Sequence, residues 1–181
     1  MSDKPLAERL QAADKDTLHE IMRETEAYLS AQLTAAIGAD QRAYTFAGMI
    51  TAATVLLVGA AYALRTGELQ HLWLSNLALL VATALFVSAW MAVISARSVD
   101  FEFPGNQACN WIDEIEEGKS LLHSLAEQCA HYDGMATTNT GTMTRNSSIF
   151  NWAVNIALGS VGLGGLAFVW WAFKVLPTTG G

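Results

Sequence analysis

The side chains best suited to chemistry lie in one short stretch, where His123, Glu127 and His131 follow each other at intervals of four residues, with Cys129 between them. This spacing places three residues that could bind a metal on one face of a helix. Three ligands that rise along a single helix cannot all reach one ion, so a metal site would need a second helix or a second subunit. The spacing therefore favours a solvated helix face, and we predict no bound metal.

Two further motifs have the wrong surroundings for chemistry. The run from Gly162 to Ala167 fits a dinucleotide-binding fingerprint, but it lies inside an apolar segment with no strand before it and no acidic residue after it. Asn146-Ser147-Ser148 matches a glycosylation sequon, although a helix cap is the better interpretation beside an apolar run. The sequence contains no nucleophile and base pattern and no phosphate loop. We expect a protein that is not an enzyme and has no cofactor.

The elements that carry these residues are organised around apolar runs. One of them, between Glu68 and Arg97, has no charged residue, and 43–64 and 146–173 are similar. A hydrocarbon core of about 30 Å requires roughly 20 apolar helical residues. With 52% hydrophobic and 15% charged residues, the chain is predicted to be an all-α integral membrane protein with three transmembrane helices and two amphipathic cytoplasmic helices. A net charge of −7 argues against a nucleic-acid partner.

The two amphipathic segments have apolar residues at helical spacing. The first helix is predicted to begin at Thr17, whose hydroxyl with Glu20 fits a capping box, after an unstructured 1–13. The second is predicted to cover 107–136 and to be followed by a linker over 137–148. Whether the first amphipathic helix continues into the first span stays open, with Gly38 as the weak point. The predicted segments are a cytoplasmic helix at 1–44, transmembrane helices at 45–64, 72–96 and 150–173, a cytoplasmic helical segment at 97–149, and a tail at 174–181.

Small and polar residues inside the spans predict close helix packing. Ser75, Ala82 and Ala89 recur every seven residues in the second span. The third span has the densest set of such residues, which we expect to lie in the bundle centre or in a subunit interface. This set consists of Asn151, Asn155, Gly159, Ser160, Gly164 and Gly165.

The basic residues predict the orientation. Close to the span ends, Arg42, Arg97 and Arg145 lie on one side, against Arg65 and Lys174 on the other. We therefore expect a multi-pass protein of the cell inner membrane with a cytoplasmic N-terminus. The first 44 residues do not resemble a secretory leader, so the first span is expected to act as its own insertion signal.

The order of these elements, together with a few short motifs, carries a resemblance. The motifs are Val99-Asp100-Phe101-Glu102-Phe103-Pro104-Gly105-Asn106, Asn110-Trp111, Glu127-Gln128, Tyr132-Asp133 and Asn139. In layout the chain is similar to small uncharacterised bacterial membrane proteins and to the transmembrane effectors of Pycsar-type antiphage systems. The resemblance implies an oligomeric effector that impairs the bilayer when triggered, although no nucleotide-binding module is recognisable here.

Two functions remain open from the sequence. The first is a homo-oligomeric membrane protein, such as a pore or membrane-perturbing effector, with the lipid bilayer as its surroundings. The second is a membrane scaffold or accessory subunit that binds an unknown cytoplasmic protein or ligand through its acidic helices.

Overall fold

The protein is all-helical throughout the part of the chain that the computed structural model describes, which is residues 4–67, 71–97 and 101–175. No strand occurs in these ranges. The helices are α1 (Leu6–Leu10), α2 (Lys15–Thr66), α3 (Leu72–Ser95), a 3-10 helix at Ala108–Trp111, α4 (Ile112–Glu116) and α5 (Leu121–Val175). Residues 1–3, 68–70, 98–100 and 176–181 lie outside the described residues, and Val99 and Asp100 of the resemblance are among them.

Three of these helices, α2, α3 and α5, are long and apolar enough to cross a membrane, as the uncharged runs predict. The helix count differs from the prediction, however. The first amphipathic segment continues into a span within α2, which has 52 residues, and this is the alternative that the sequence left open. The second segment divides into the 3-10 helix, α4 and the first part of α5, which has 55 residues and also contains a span.

Continuity of α2 has a simple local cause. No proline occurs between Lys15 and Thr66, and Gly38 stays helical, since a single glycine costs only about 1 kcal/mol in a helix interior. The hydroxyls of Thr34 and Thr45 donate to the carbonyl oxygens four residues earlier, at 3.0 and 2.8 Å. These threonines therefore satisfy their hydrogen-bonding groups without opening the helix.

The linker predicted over 137–148 is wrong, because these residues are part of α5. Thr137, Thr138, Thr140 and Thr144 donate from their hydroxyls to the carbonyl oxygens four residues earlier, at distances of 2.8 to 3.1 Å. A threonine-rich stretch favours turns when its hydroxyls compete for the backbone. Here the hydroxyls bond along the helix instead, and the stretch remains helical.

The start of α2 also differs from the prediction. Asp14, rather than Thr17, caps the helix: its carboxylate accepts the backbone N–H of Thr17 at 2.8 Å and the Thr17 hydroxyl at 2.9 Å. The N–H and the hydroxyl of Thr17 hold the pKa of Asp14 below its usual value. The region predicted to be unstructured contains α1, which Pro5 precedes, and Leu10 packs on the core nearby.

The single helix predicted over 107–136 is interrupted. After α4 the chain turns at Gly118, whose φ of +70° favours glycine, and α5 begins three residues later. A second turn residue, Gly105, has a φ of +121° and follows Pro104.

The chain forms two compact units, which are described separately. Unit 1 comprises Met1–Gly38 and Ser98–Thr144, and unit 2 comprises Ala39–Arg97 and Arg145–Gly181. In unit 1 the apolar stripes of α2 and α5 bury each other, as their helical periodicity predicts. Its buried core residues are Leu18, Leu29, Leu125, Ala126, Cys129, Tyr132 and Ala136.

Unit 2 packs α2, α3 and α5 through small side chains. One buried layer consists of Ala47, Ala92 and Ala153, here called the alanine layer, with one residue from each helix. A second buried cluster consists of Val81, Leu85 and Ala157. Large apolar side chains such as Leu56, Trp90 and Leu163 are more than half exposed, as lipid-facing residues are expected to be.

Candidate functional site

Unit 1 contains a buried polar network that centres on Asn139, which is completely buried on α5. The Asn139 side chain accepts the backbone N–H of Glu102 at 3.0 Å and donates to the Glu102 carbonyl at 2.8 Å. It also donates to Oε1 of Gln32 at 3.3 Å. The Asn139 amide thus binds both the N–H and the carbonyl of Glu102, as the backbone of a neighbouring strand would.

Gln32, on α2, extends this network. Its Nε2 donates to the carbonyl of Ala136 at 3.1 Å and to the hydroxyl of Thr140 at 3.0 Å. Because its Oε1 accepts from Asn139, every polar group of the Gln32 side chain is used. The buried amides therefore join α2, α5 and the segment at Glu102 without leaving either amide unpaired.

Two further contacts attach the same segment to α5. The hydroxyl of Tyr132 accepts the backbone N–H of Gly105 at 3.0 Å and donates to Glu26 at 3.3 Å. Asn106 donates to Oε1 of Gln128 at 3.1 Å. The segment from Glu102 to Asn106 is thus held along one side of α5.

In the sequence, Gln32 and Tyr132 fall in the apolar stripes of the two amphipathic segments, and Gln128, Tyr132 and Asn139 carry the resemblance. Neither pattern predicts their contacts. The available signal is spacing: Gln128, Tyr132 and Asn139 are four and seven residues apart, which places them on one face of a helix. The network pairs its donors with acceptors except at Nε2 of Gln128, which is buried without a partner among the described residues, and it contains no nucleophile with an adjacent base. Its geometry is that of a structural clasp for the segment.

Of the residues considered as metal ligands, His123 and Glu127 contact each other and also contact other side chains. The His123 ring lies 3.2 Å from Glu127 and 2.8 Å from Gln11, and the Lys119 ammonium lies 3.6 Å from the other oxygen of Glu127. His131 is exposed beside Tyr132. Among the described residues, no group of three His, Cys, Asp or Glu side chains could hold a metal ion.

Cys129 faces away from this group into the core of unit 1. Its thiol is buried and lies 3.6 Å from the carbonyl oxygen of Leu18. Burial, with a smaller contribution from Glu26, raises the pKa of the thiol. The residue therefore behaves as an apolar core residue rather than a ligand or nucleophile.

The seven-residue repeat of α3 packs inside the subunit. Ser75, Ala82 and Ala89 are all buried, and the Ser75 hydroxyl donates to the carbonyl of Ala61 on α2 at 2.8 Å. The sequence did not single out Ser88, which is completely buried and donates to the carbonyl of Ala153 on α5 at 2.7 Å. Hydroxyls on α3 thus bond to both neighbouring helices.

The six residues predicted on the third span divide into two sets. Gly164 faces its own subunit, since a Cβ atom there would lie 2.7 Å from Cγ2 of Val81. Ser160 is half-buried and donates to the carbonyl of Ala157 within α5. The other four are exposed and form the outward set: Asn151, Asn155, Gly159 and Gly165.

The outward set is distinct from the packing face in two respects. A Cβ atom on either outward glycine would meet nothing within 4 Å. The amides of Asn151 and Asn155 bond to no other residue in the described ranges. The sequence shows that small and polar residues are dense here, but only the packing against α3 separates the inward glycine from the outward residues.

Aromatic residues gather at the far end of the spans. The ring of His71 lies 5.5 Å from Trp171, and that of Trp73 lies 6.5 Å from Trp170. The Lys174 ammonium lies 4.3 Å from the centre of the Trp170 ring. Such a belt of amphipathic rings suits the boundary between lipid and water.

The chain matches no protein-family model, no curated protein and no solved structure. The candidate sites are therefore the structural clasp of unit 1 and the outward set of α5. Of these two, the outward set offers exposed groups whose hydrogen bonds the described chain does not supply, whereas the unpaired Nε2 of Gln128 in the clasp is buried.

Proposed function

We propose that this chain is a non-enzymatic, homo-oligomeric integral membrane protein, whose subunits associate through the outward set to form a pore or membrane-perturbing effector. A single observation carries the proposal: two amides, Asn151 and Asn155, face away from their own subunit within a membrane span.

The depth of these amides can be derived from the helix rise. From Arg145 to Lys174 is 29 residues, or about 43 Å at 1.5 Å per residue, which matches a bilayer with its headgroups. Asn155 lies ten residues from Arg145, about 15 Å along the helix. An amide at this depth lies in hydrocarbon, where an unpaired polar group costs several kcal/mol.

A second copy of the same face would satisfy these amides. An asparagine side chain has both donors and an acceptor, so two identical faces are complementary to each other. Gly159 and Gly165 have no side chain and allow the backbones to approach. In a dimer the amides would pair with each other. In a larger ring the same faces would meet around the central axis, where the amides would line a water-filled path, and this second arrangement is the basis for proposing a pore.

The proposed location is the cell inner membrane with the N-terminus in the cytoplasm. Arg42, Arg97 and Arg145 at one end of the spans, against Arg65 and Lys174 at the other, support this orientation. Unit 1 then lies in the cytoplasm. Labelling of the exposed Cys109 by a membrane-impermeant reagent in intact cells would contradict this orientation.

Assembly is tested by enlarging or removing the outward groups. We expect Asn155→Leu and Gly159→Leu to shift the purified protein to smaller species, measured as mass in detergent by light scattering. The matched control is Ala60→Leu, at an exposed small residue of α2, which should leave the mass unchanged. Gly164→Leu is unsuitable, because it would disturb packing against Val81 within the subunit. A monomeric wild type, or unchanged mass in both variants, would contradict the proposal.

Pore formation is tested in liposomes. We expect the wild type to release an entrapped ion or small dye, and Asn155→Leu to release it more slowly at equal protein content. If the wild type assembles but releases neither ion nor dye, the proposal of an oligomer stands and the proposal of a pore is refuted.

That result would favour the second function, a membrane scaffold or accessory subunit. The charge distribution supports this alternative, since unit 1 contains 15 of the 17 acidic residues but only five of the ten basic ones. Such a surface fits a basic partner. Purified wild type that binds a basic peptide in a salt-dependent way, without releasing dye, would support it.

A further inference from the structure

Three arginines lie at the same end of the three spans. In the sequence they are close to the positions where the chain passes from one unit to the other. Arg42 is on α2, Arg97 follows α3 and Arg145 is on α5, and all three side chains are exposed. They are called the boundary arginines here. Arg97 and Arg145 form no ion pair with any residue in the described ranges.

The alanine layer shows that the boundary arginines lie at similar depth, because each of the three helices contributes one residue to that layer. Arg42 is five residues from Ala47 within α2, or about 7.5 Å. Arg97 follows the end of α3 at Ser95, which is three residues or about 4.5 Å from Ala92. Arg145 is eight residues from Ala153, or about 12 Å. Because α3 runs opposite to α2 and α5, all three distances point to the same end. The Tyr44 hydroxyl, which donates to the carbonyl of Ala96 at 3.0 Å, ties α2 to the end of α3 at this depth.

Unit 2 itself contributes few acidic residues near the boundary arginines. The sequence of unit 2 contains two acidic residues, Asp40 and Glu68, and only Asp40 precedes the first span. Within unit 2, three cations therefore accompany one acid at this boundary, while Asp100 and Glu102 of unit 1 follow Arg97 in the sequence. The depth is that of lipid headgroups, since each arginine lies at the end of an apolar span.

We propose that the boundary arginines bind the phosphate groups of anionic phospholipids, so that the protein selects such lipids over zwitterionic ones. Guanidinium groups pair with phosphate oxygens through two parallel hydrogen bonds. Each cation near an anionic lipid surface contributes about 1 kcal/mol, which is about fivefold in the dissociation constant. Three together correspond to roughly 100-fold.

The test titrates the purified protein in detergent with phosphatidylglycerol or phosphatidylcholine and reads bound lipid by native mass spectrometry. The wild type should bind phosphatidylglycerol more tightly. A variant with Arg42→Gln, Arg97→Gln and Arg145→Gln should bind the two lipids alike. The control carries Arg65→Gln and Lys174→Gln at the other end of the spans and should keep the preference.

Several results would overturn the proposal. A wild type without preference for phosphatidylglycerol would do so, as would a control variant that loses as much affinity as the triple variant. If the triple variant fails to fold, Arg145→Gln alone should weaken phosphatidylglycerol binding about fivefold, and no change there would contradict the proposal. Excess inorganic phosphate should not displace the lipid, and displacement would show that the site binds free phosphate instead.

Discussion

The contact between Gly164 and Val81 allows a demanding test of how unit 2 packs. A Cβ atom on Gly164 would lie 2.7 Å from Cγ2 of Val81, whereas carbon atoms in contact are normally 3.5 to 4.0 Å apart. Gly164→Ala therefore requires a shift of about 1 Å. Val81 is buried and its branched side chain has few alternative rotamers, so the helices must move apart.

Overpacking of this kind costs about 1 to 3 kcal/mol. The neighbouring Gly165 supplies the control, because a Cβ atom there would meet nothing within 4 Å. Both substitutions gain the same helix propensity from alanine, so their difference isolates the contact with Val81. We expect Gly164→Ala to be less stable than Gly165→Ala by about 1 to 3 kcal/mol.

Stability can be measured by titrating the protein from mild detergent into sodium dodecyl sulfate and following helicity by circular dichroism. The double variant Gly164→Ala/Val81→Ala should lose less stability than the two single variants lose together, because the smaller side chain at position 81 leaves room for the new Cβ. Equal stability of the two glycine variants within about 0.5 kcal/mol would refute the packing described here.

The other predictions concern single groups. Asn139→Leu should destabilise the protein by about 2 to 4 kcal/mol in chemical denaturation, because both backbone groups of one residue lose their partner. Ser88→Ala should cost about 0.6 kcal/mol and no more than roughly 1.7 in the detergent titration, the range for hydrogen bonds between membrane helices. Cys109 should react rapidly with a thiol reagent in folded protein, whereas buried Cys129, with its raised pKa, should react only after unfolding. The pKa of Asp14 is lower in the folded than in the unfolded protein. The stabilisation by its carboxylate is therefore fully present above the unfolded pKa near 3.9 and is lost as the pH falls through the folded pKa. Asp14→Asn should keep the cap and make the helicity of α2, measured by circular dichroism, less sensitive to acid.

The spans could be predicted from sequence because lipid imposes a single strong condition. Charge is excluded for about 20 residues, and the run that ends at Arg97 meets this condition without any knowledge of its neighbours. Helix α3, at Leu72–Ser95, accordingly lies within a residue of the predicted 72–96. The all-helical fold follows from the same condition, since isolated strands cannot satisfy their backbone groups in lipid.

The extent of α5 could not be predicted because its middle gives conflicting local signals. Thr, Asn, Gly and Ser between 137 and 148 favour turns, and the apolar periodicity weakens there. The helix is retained through tertiary contacts, above all those of Asn139, whose partner Glu102 is 37 residues away. The periodicity of a single segment contains no information about a contact with a residue so distant in sequence.

The two faces of the third span show a second limit of prediction from sequence. Helical periodicity places Gly164 and Gly159 on different sides of α5, but it does not say which side touches the rest of the subunit. That depends on Val81 of another helix. The sequence therefore identified a region of close packing, and the separation of inward from outward residues required the structure.

The geometry at Asn139 also bears on chemical ageing. Deamidation begins when the backbone nitrogen of the next residue attacks the asparagine side-chain carbonyl and forms a cyclic imide. In α5 the backbone at this position is helical, and the side-chain oxygen already accepts the N–H of Glu102. The imide ring cannot close unless the helix and this hydrogen bond are both broken. Conversion of Asn139 to aspartate would replace a donor by a negative charge, and the contacts of Asn139 protect it from this conversion. Exposed Asn151 and Asn155 are also helical but have no such second constraint, which makes Asn139 the most durable of the three amides.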